Sequence, residues 1–166
     1  MATPTTLPAT FVSGAVLTAA QMNDLRGAFR VLQVVTGVTS ATTTNNTNAY
    51  IATGLTQTIT PSSTSSQILV FVNHGDCSKT AANALNSLRL GLQRNGSDIR
   101  TLCRFGGFTN TAMELNFGQA GLFLDSPASV SALTYRTVFQ SPENTAGVIV
   151  QANNGESQIV LMEISA

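Results

Sequence analysis

From residue 49 onward the chain is a succession of short β-prone segments cut apart by turn chemistry, and that punctuation leaves few folds open. Residues 50–53 and 56–60 are β-prone, and residues 61–66 (PSSTSS) read as a turn. Residues 67–74 (QILVFVNH) are apolar at successive positions, as in a central strand with both faces covered. Within residues 83–94, Leu88, Leu90 and Leu92 fall on one face, with Arg89, Gly91 and Gln93 on the other. Asn95-Gly96 follows, the strongest short hairpin signal, and residues 97–105 return as the partner strand. Gly106 and Gly107 break the sheet. Residues 112–124 hold one or two strands, closed by Asp125-Ser126-Pro127. Residues 131–140 form a strand around Tyr135. Residues 147–152, the Asn154-Gly155 turn and residues 158–164 read as a final hairpin. About eight strands spaced by turns predict an antiparallel β-sandwich, jelly-roll-like.

The segment in front of it has a different character. Pro4 and Pro8, set among Thr and Ala, predict an extended arm. Thr18 and Gln21 have capping-box spacing and start a predicted helix. Met22, Leu25, Phe29 and Leu32 are spaced three, four, three, which is the seam of a helix that packs on a partner. The helix is expected to end near Val35, with Gly37 as a stop. Two heptads are marginal alone in water, so the stripe needs another surface: a second helix, a partner, or the chain's own β domain. Residues 38–48 lack periodicity and read as a linker. The expected organisation is an arm and helix over 1–40, a linker over 41–48, and a β domain over 49–166.

Composition adds one constraint. Charged residues make up only 10% of the chain, against about 25% in an ordinary soluble protein. Two strands are apolar on both faces: residues 68–72, and the last one. In the last, Val160, Met162 and Ile164 fill one face while Ile159 and Leu161 start the other. A sandwich strand with one solvated face should alternate apolar with polar. The second apolar face points to a subunit interface, or to cover by the N-terminal helix.

Machinery for catalysis is hard to find. The only histidine, His74, has no nucleophile elbow beside it. Asp76, Asp98 and Asp125 read as turn residues, and Glu114 as exposed. Cys77 and Cys103 are too few for a disulfide framework, and with His74 they are too few for a metal centre. There is no phosphate loop, dinucleotide fingerprint or calcium loop. The expectation is a non-enzyme without cofactor or metal. Net charge is zero and Lys79 is the only lysine, which argues against a nucleic-acid partner. No apolar run approaches the roughly 20 residues of a membrane span, and the N-terminus lacks the basic region of a secretory signal. The exposed surface is expected to be rich in Ser, Thr and Asn, with Tyr135 and a few Arg. Such loops suit either carbohydrate or plain solvation.

Four stretches carry a resemblance. Residues 10–25 (TFVSGAVLTAAQMNDL) resemble the N-terminal segment of tailed-bacteriophage minor structural proteins. Residues 53–73 (TGLTQTITPSSTSSQILVFVN), 124–139 (LDSPASVSALTYRTVF) and 159–166 (IVLMEISA) resemble a recurrent β domain of phage tail and capsid fibre proteins. The resemblance implies a β-sandwich that assembles as a homotrimer and is built into the virion through its N-terminus, after synthesis in the host cytoplasm. Leu7, Pro8, Thr10, Phe11 and Val12 would then anchor the arm on other virion proteins. Met22, Leu25, Phe29 and Leu32 would pack a threefold bundle or dock on a partner. The expected role is a short tail fibre or appendage that displays its β domain, with host-surface carbohydrate as a possible ligand. The alternative is a capsid decoration or head-fibre protein. A polysaccharide hydrolase fits poorly with so few carboxylates.

Overall fold

A computed structural model describes residues 14, 16, 18, 19, 31–143 and 146–165. The anchoring residues Leu7, Pro8, Thr10, Phe11 and Val12, and the seam residues Met22, Leu25 and Phe29, lie outside the described residues.

Leu32 does not sit on a helix. It belongs to β1 (Val31–Thr39), a strand paired antiparallel along its length with β10 (Ser157–Ile164). Val31, Val34, Val35 and Val38 explain the difference. β-branched side chains favour a pleated strand, and pairing with β10 overrides a spacing that suited a helix. The expected linker also contains a strand, β2 (Thr43–Asn45), so the sheets begin well before residue 49. The buried Asn45 amide bridges the carbonyls of Ala49 and Phe139 at 2.9 Å each and fixes the chain's passage from β2 into β3 (Ile51–Ile59).

Two antiparallel sheets face each other. β4 (Gln67–Lys79) is the spine of the first, whose order is β1-β10-β4-β9-β2, where β9 is Val148–Val150; β7 (Leu115–Asp125) pairs the other side of β4. The second runs β3-β8-β5-β6, with β5 Leu88–Arg94, β6 Ser97–Gly106 and β8 Leu133–Gln140. Asn95 (φ 50°) and Gly96 (φ 84°) make the left-handed pair of a two-residue hairpin between β5 and β6, as the Asn-Gly dipeptide predicts.

Local departures from the sequence expectation have local causes. The two predicted segments at 50–60 are one strand, β3, interrupted by an irregularity around Gly54 (φ 87°). β4 does not end at His74; it passes through a bulge at Gly75-Asp76 and continues to Lys79. The final hairpin is absent, because β9 and β10 run in the same direction one after the other along a single edge of β4, β9 against residues 78–79 and β10 against residues 67–74. Gln151, Asn153 and Asn154, all left-handed, carry the chain out of β9 and back onto the same edge as β10, past the β4 bulge.

The core fills the space between the sheets in two clusters. One gathers Leu55, Ile59, Ile68, Val70, Leu92, Tyr135, Ile159 and Leu161; the other gathers Cys77, Leu88, Leu90, Phe139, Val148 and Val150. Tyr135, expected on the surface, is fully buried.

Glu163 is buried on the core face of β10. Its carboxylate accepts bonds from the Ser62 amide (2.7 Å), the Ser62 hydroxyl (2.6 Å) and Gln33 Nε2 (2.6 Å), which hold the β3–β4 turn against β1 and β10. Burial works against the charge, but the bonds from Ser62 and Gln33 outweigh it and hold the carboxyl below its ordinary range. A depressed folded pKa contributes stability above the unfolded value near 4.5, and that contribution is lost as pH falls through the folded value. Glu163→Gln should cost about 1–2 kcal/mol at pH 7. It should also flatten the acid limb of stability below about pH 4.5. Urea melts across pH 3–7 check both; parallel acid limbs for the two proteins would contradict it.

Candidate assembly interface

β1, β10, β4 and β7 lie side by side, and their register sets side chains in rows across the sheet. Residues that face the core form the row Val35, Leu161, Val70, Phe123 and the row Gly37, Ile159, Val72, Gly121. The opposite face carries its own rows. Val34, Met162, Leu69 and Leu124 form the first, and Thr36, Val160, Phe71 and Leu122 the second. Val38, Gln158, Asn73 and Ala120 form the third.

None of the three rows contains a charged residue, and the first two are apolar except for Thr36. Leu122 is 59% exposed, Val38 58%, Val34 50%, Leu124 46% and Phe71 39%, which is far above the usual state of such side chains. With strands about 4.8 Å apart and rows about 6.8 Å apart, the patch covers on the order of 400 Å² with its side-chain margins. That is within the range of the largest apolar patch on ordinary monomers, which is often functional. A depression of about 460 Å³ opens on this face, flanked by Phe71, Leu122 and Val160, where Ala120 and Gly121 leave the sheet low.

The rim of the patch is also unguarded. Among the described residues β7 is paired only on its β4 side, and residues 116–124 (NFGQAGLFL) hold no charge and no proline. Edge strands of monomers usually carry such groups to block strand addition. The arrangement can bury apolar area and pair strands. It offers no acid, base or nucleophile.

The residues considered for chemistry are held elsewhere. His74 is fully buried between the sheets, with Nε2 3.0 Å from Thr137 Oγ1 and Nδ1 2.9 Å from the Gln151 amide. One orientation of that amide satisfies all its partners: its oxygen accepts from His74 Nδ1 and Ser157, and its nitrogen donates to the carbonyls of Thr53 and Ala41. Both ring nitrogens are thus engaged within the core. Burial pulls the imidazole down to about 4. A lowered folded pKa means that the unfolded chain takes the proton first. Stability should therefore fall by about 3 kcal/mol as pH drops from about 6.5 to about 4. His74→Gln should remove that slope in urea melts; an unchanged slope would contradict the assignment.

Burial pushes the Cys77 thiol up to about 12, and both Cys77 and Cys103 are free thiols. Asp125, read as a turn residue, ends β7, is buried, and pairs with Arg94 and Tyr135. Asp98 lies in β6, and Asp76 in the β4 bulge; Glu114 is exposed. Among the described residues, no three His, Cys, Asp or Glu side chains form a group able to hold a metal. Among them, too, no helix is long and apolar enough to cross a membrane.

The sequence singled out β4 and β10 as apolar on both faces, but it did not name Val34, Val38, Leu122 or Leu124 as their neighbours. The signal was present in Leu122-Phe123-Leu124, apolar at three successive positions and therefore on both faces.

No family model matches this chain, and no curated protein matches it. Among solved structures, the chain is similar to VP2 of infectious bursal disease virus. The VP2 subviral particle aligns with a TM-score of 0.45 at 8% identity, over 81% of this chain and 40% of that one. The T13 particle of the same virus aligns at 0.40 and 10% identity, over 80% and 37%. The chain therefore spans about 40% of the length of the VP2 chains it matches.

Proposed function

We propose that this chain is a non-enzymatic structural component of a tailed-phage virion, a short homotrimeric tail fibre or appendage that displays its β-sandwich outward. The observation that carries the reading is the uncharged outer face of β1, β10, β4 and β7, which a single copy leaves open to water. Three copies packed through that face bury it three times over, and cyclic closure leaves no apolar surface for further growth. The low charge of the whole chain fits a protein that hides much of its surface in an assembly. The resemblance of residues 10–25 to phage structural proteins supplies the virion context and the role of the arm.

The chain enters the sandwich at Val31, which pairs with Ile164; Ile164 in turn pairs with Gln67, the first residue of β4. An arm that grips the virion would therefore hold the domain by that end and present the Lys79 end of β4 outward. A cryo-electron-microscopy map of the virion tests the reading. Density for this chain at the tail, three copies to an appendage, is the expected result. Density on the capsid lattice would place it as a decoration protein and overturn the tail assignment.

A further inference from the structure

Five strands end a sheet among the described residues, and four of them are guarded. β1 and β3 cover each other across the gap between the sheets: Gln57 Nε2 donates to the Thr36 carbonyl and Gln33 Nε2 to the Thr60 carbonyl, each at 2.7 Å. β2 is three residues long, and β6 carries Asp98, Arg100 and Arg104. Cover, shortness and charge are the usual devices against strand addition. β7 has none of them along residues 116–124, where every second residue from Asn116 to Leu124 is exposed.

The same chain holds a matching segment. Residues 9–17 (ATFVSGAVL) also contain no charge and no proline. They lie outside the described residues except for Gly14 and Val16. Val16 is 90% exposed, and beyond the chain neighbours no atom comes within 4 Å of the place that a Cβ on Gly14 would take. A single copy therefore gives this valine nothing to pack on.

Edge and segment belong to the same end of the sandwich. Val31 pairs with Ile164, Ile164 with Gln67, and Ile68 with Asp125. The point where the chain enters β1 is thus level with the end of β7, three strand spacings or about 14 Å across the sheet. Residues 18–30 stand between Val31 and the segment; they reach about 20 Å as a helix and about 43 Å extended, enough in either form. β1 and β7 are also the opposite rims of the apolar outer face. In a ring closed through that face, the β7 rim of one copy comes beside the β1 rim of the next, and so beside the next copy's arm.

We propose that residues 9–17 of one copy add as a strand to the free edge of β7 in the neighbouring copy, so that arms exchanged in turn tie the trimer together. The inference rests on the trimer reading. Residues 9–17 run toward Val31, and β7 runs toward Asp125 at the same end, so the added strand is parallel to β7. Main-chain bonds supply the affinity, and alternate side chains serve two faces, Val12 and Val16 on one and Phe11 and Leu17 on the other. The neighbouring copy is then among the virion proteins that Thr10, Phe11 and Val12 grip, and residues 1–8 are left for the rest of the particle.

The test is photo-cross-linking of the full-length protein, with p-benzoylphenylalanine in place of Phe11 in one preparation and of Val16 in another. Irradiation should give a product of two-chain mass on a denaturing gel. Peptide mass spectrometry should find position 11 attached within residues 116–120 of β7, and position 16 within residues 121–125. Attachment within one chain, attachment elsewhere, attachment of β7 to β7 of another copy, or no attachment overturns the inference. A threefold mass in sedimentation equilibrium would then leave the trimer standing. The expected attachments with a twofold mass would support the exchange and overturn the trimer.

Discussion

Phe71→Asp combined with Leu122→Asp will give a folded protein that no longer assembles. Both side chains are exposed in the single copy, so a carboxylate at either place meets water and costs within about 0.5 kcal/mol per site, with up to about 1 kcal/mol more from the two like charges opposite each other on β4 and β7. In an assembly closed through the outer face, the same carboxylates from every copy enter a dry apolar seam and repel one another. Desolvation of unpaired charge at the centre of an interface should weaken association by about 4 kcal/mol or more, roughly a thousandfold. On the proposed trimer, sedimentation equilibrium should read three times the 17.3 kDa chain mass for the wild type and a single copy for the double variant. An unchanged mass for the double variant would place the interface elsewhere. The pair is chosen because Phe71 and Leu122 are register neighbours on β4 and β7 and flank the depression on that face.

Asp125→Ala should be the most damaging single substitution for stability away from the apolar core. Oδ2 of Asp125, at the end of β7 in the first sheet, accepts from Tyr135 Oη and from Arg94 Nη1, each at 2.6 Å, and both donors belong to the second sheet. Burial, and then the bond and charge of Asp125, push the Tyr135 hydroxyl above its ordinary value, so it stays protonated and donates. Removing the carboxylate strands that hydroxyl in the core, where no water can replace the partner. Arg94, with 28% of its side chain exposed, recovers part of its solvation. The expected loss is about 3 kcal/mol, and Tyr135→Phe alone should cost about 1–2 kcal/mol. The double variant should cost less than the sum, because the second change removes the group that the first left stranded. Urea denaturation gives all three values. A loss under about 1 kcal/mol for Asp125→Ala would mean that the two sheets do not depend on this link.

Most of the strand content was legible in the sequence, and the reasons are physical. Leu88, Leu90 and Leu92 alternate as a half-buried strand must, and Asn95-Gly96 marks its turn with backbone chemistry that few other dipeptides allow. Those signals are local. The pairing of β9 and β10 with one edge of β4 is not, so a short irregular segment between two apolar runs read as a hairpin turn. Leu32 failed for a related reason: its spacing from Phe29 suited a helix, while its fate was set by β10, more than a hundred residues away. Buried Asp125 read as a turn residue because its partners, Arg94 and Tyr135, lie in other strands. The assembly face was half visible. Doubly apolar strands pointed to a second apolar face, but only the register of four strands shows that Val34, Phe71 and Leu122 share it.

Hydroxyl-radical footprinting of the full-length protein at micromolar concentration, read by peptide mass spectrometry, tests the central claim most directly. Phe71, Leu122 and Met162 on the outer face are followed as the concentration rises from nanomolar to micromolar. Phe105 at the end of β6 and Met113 in the loop after it, each more exposed in the single copy than its counterpart Phe71 or Met162, are references whose oxidation should not change. Burial of the face between copies predicts strong protection of Phe71, Leu122 and Met162 while Phe105 and Met113 are oxidised. Oxidation of Leu122 and Phe71 to the same extent as the loop residues would show that the face stays in water, and would contradict the account.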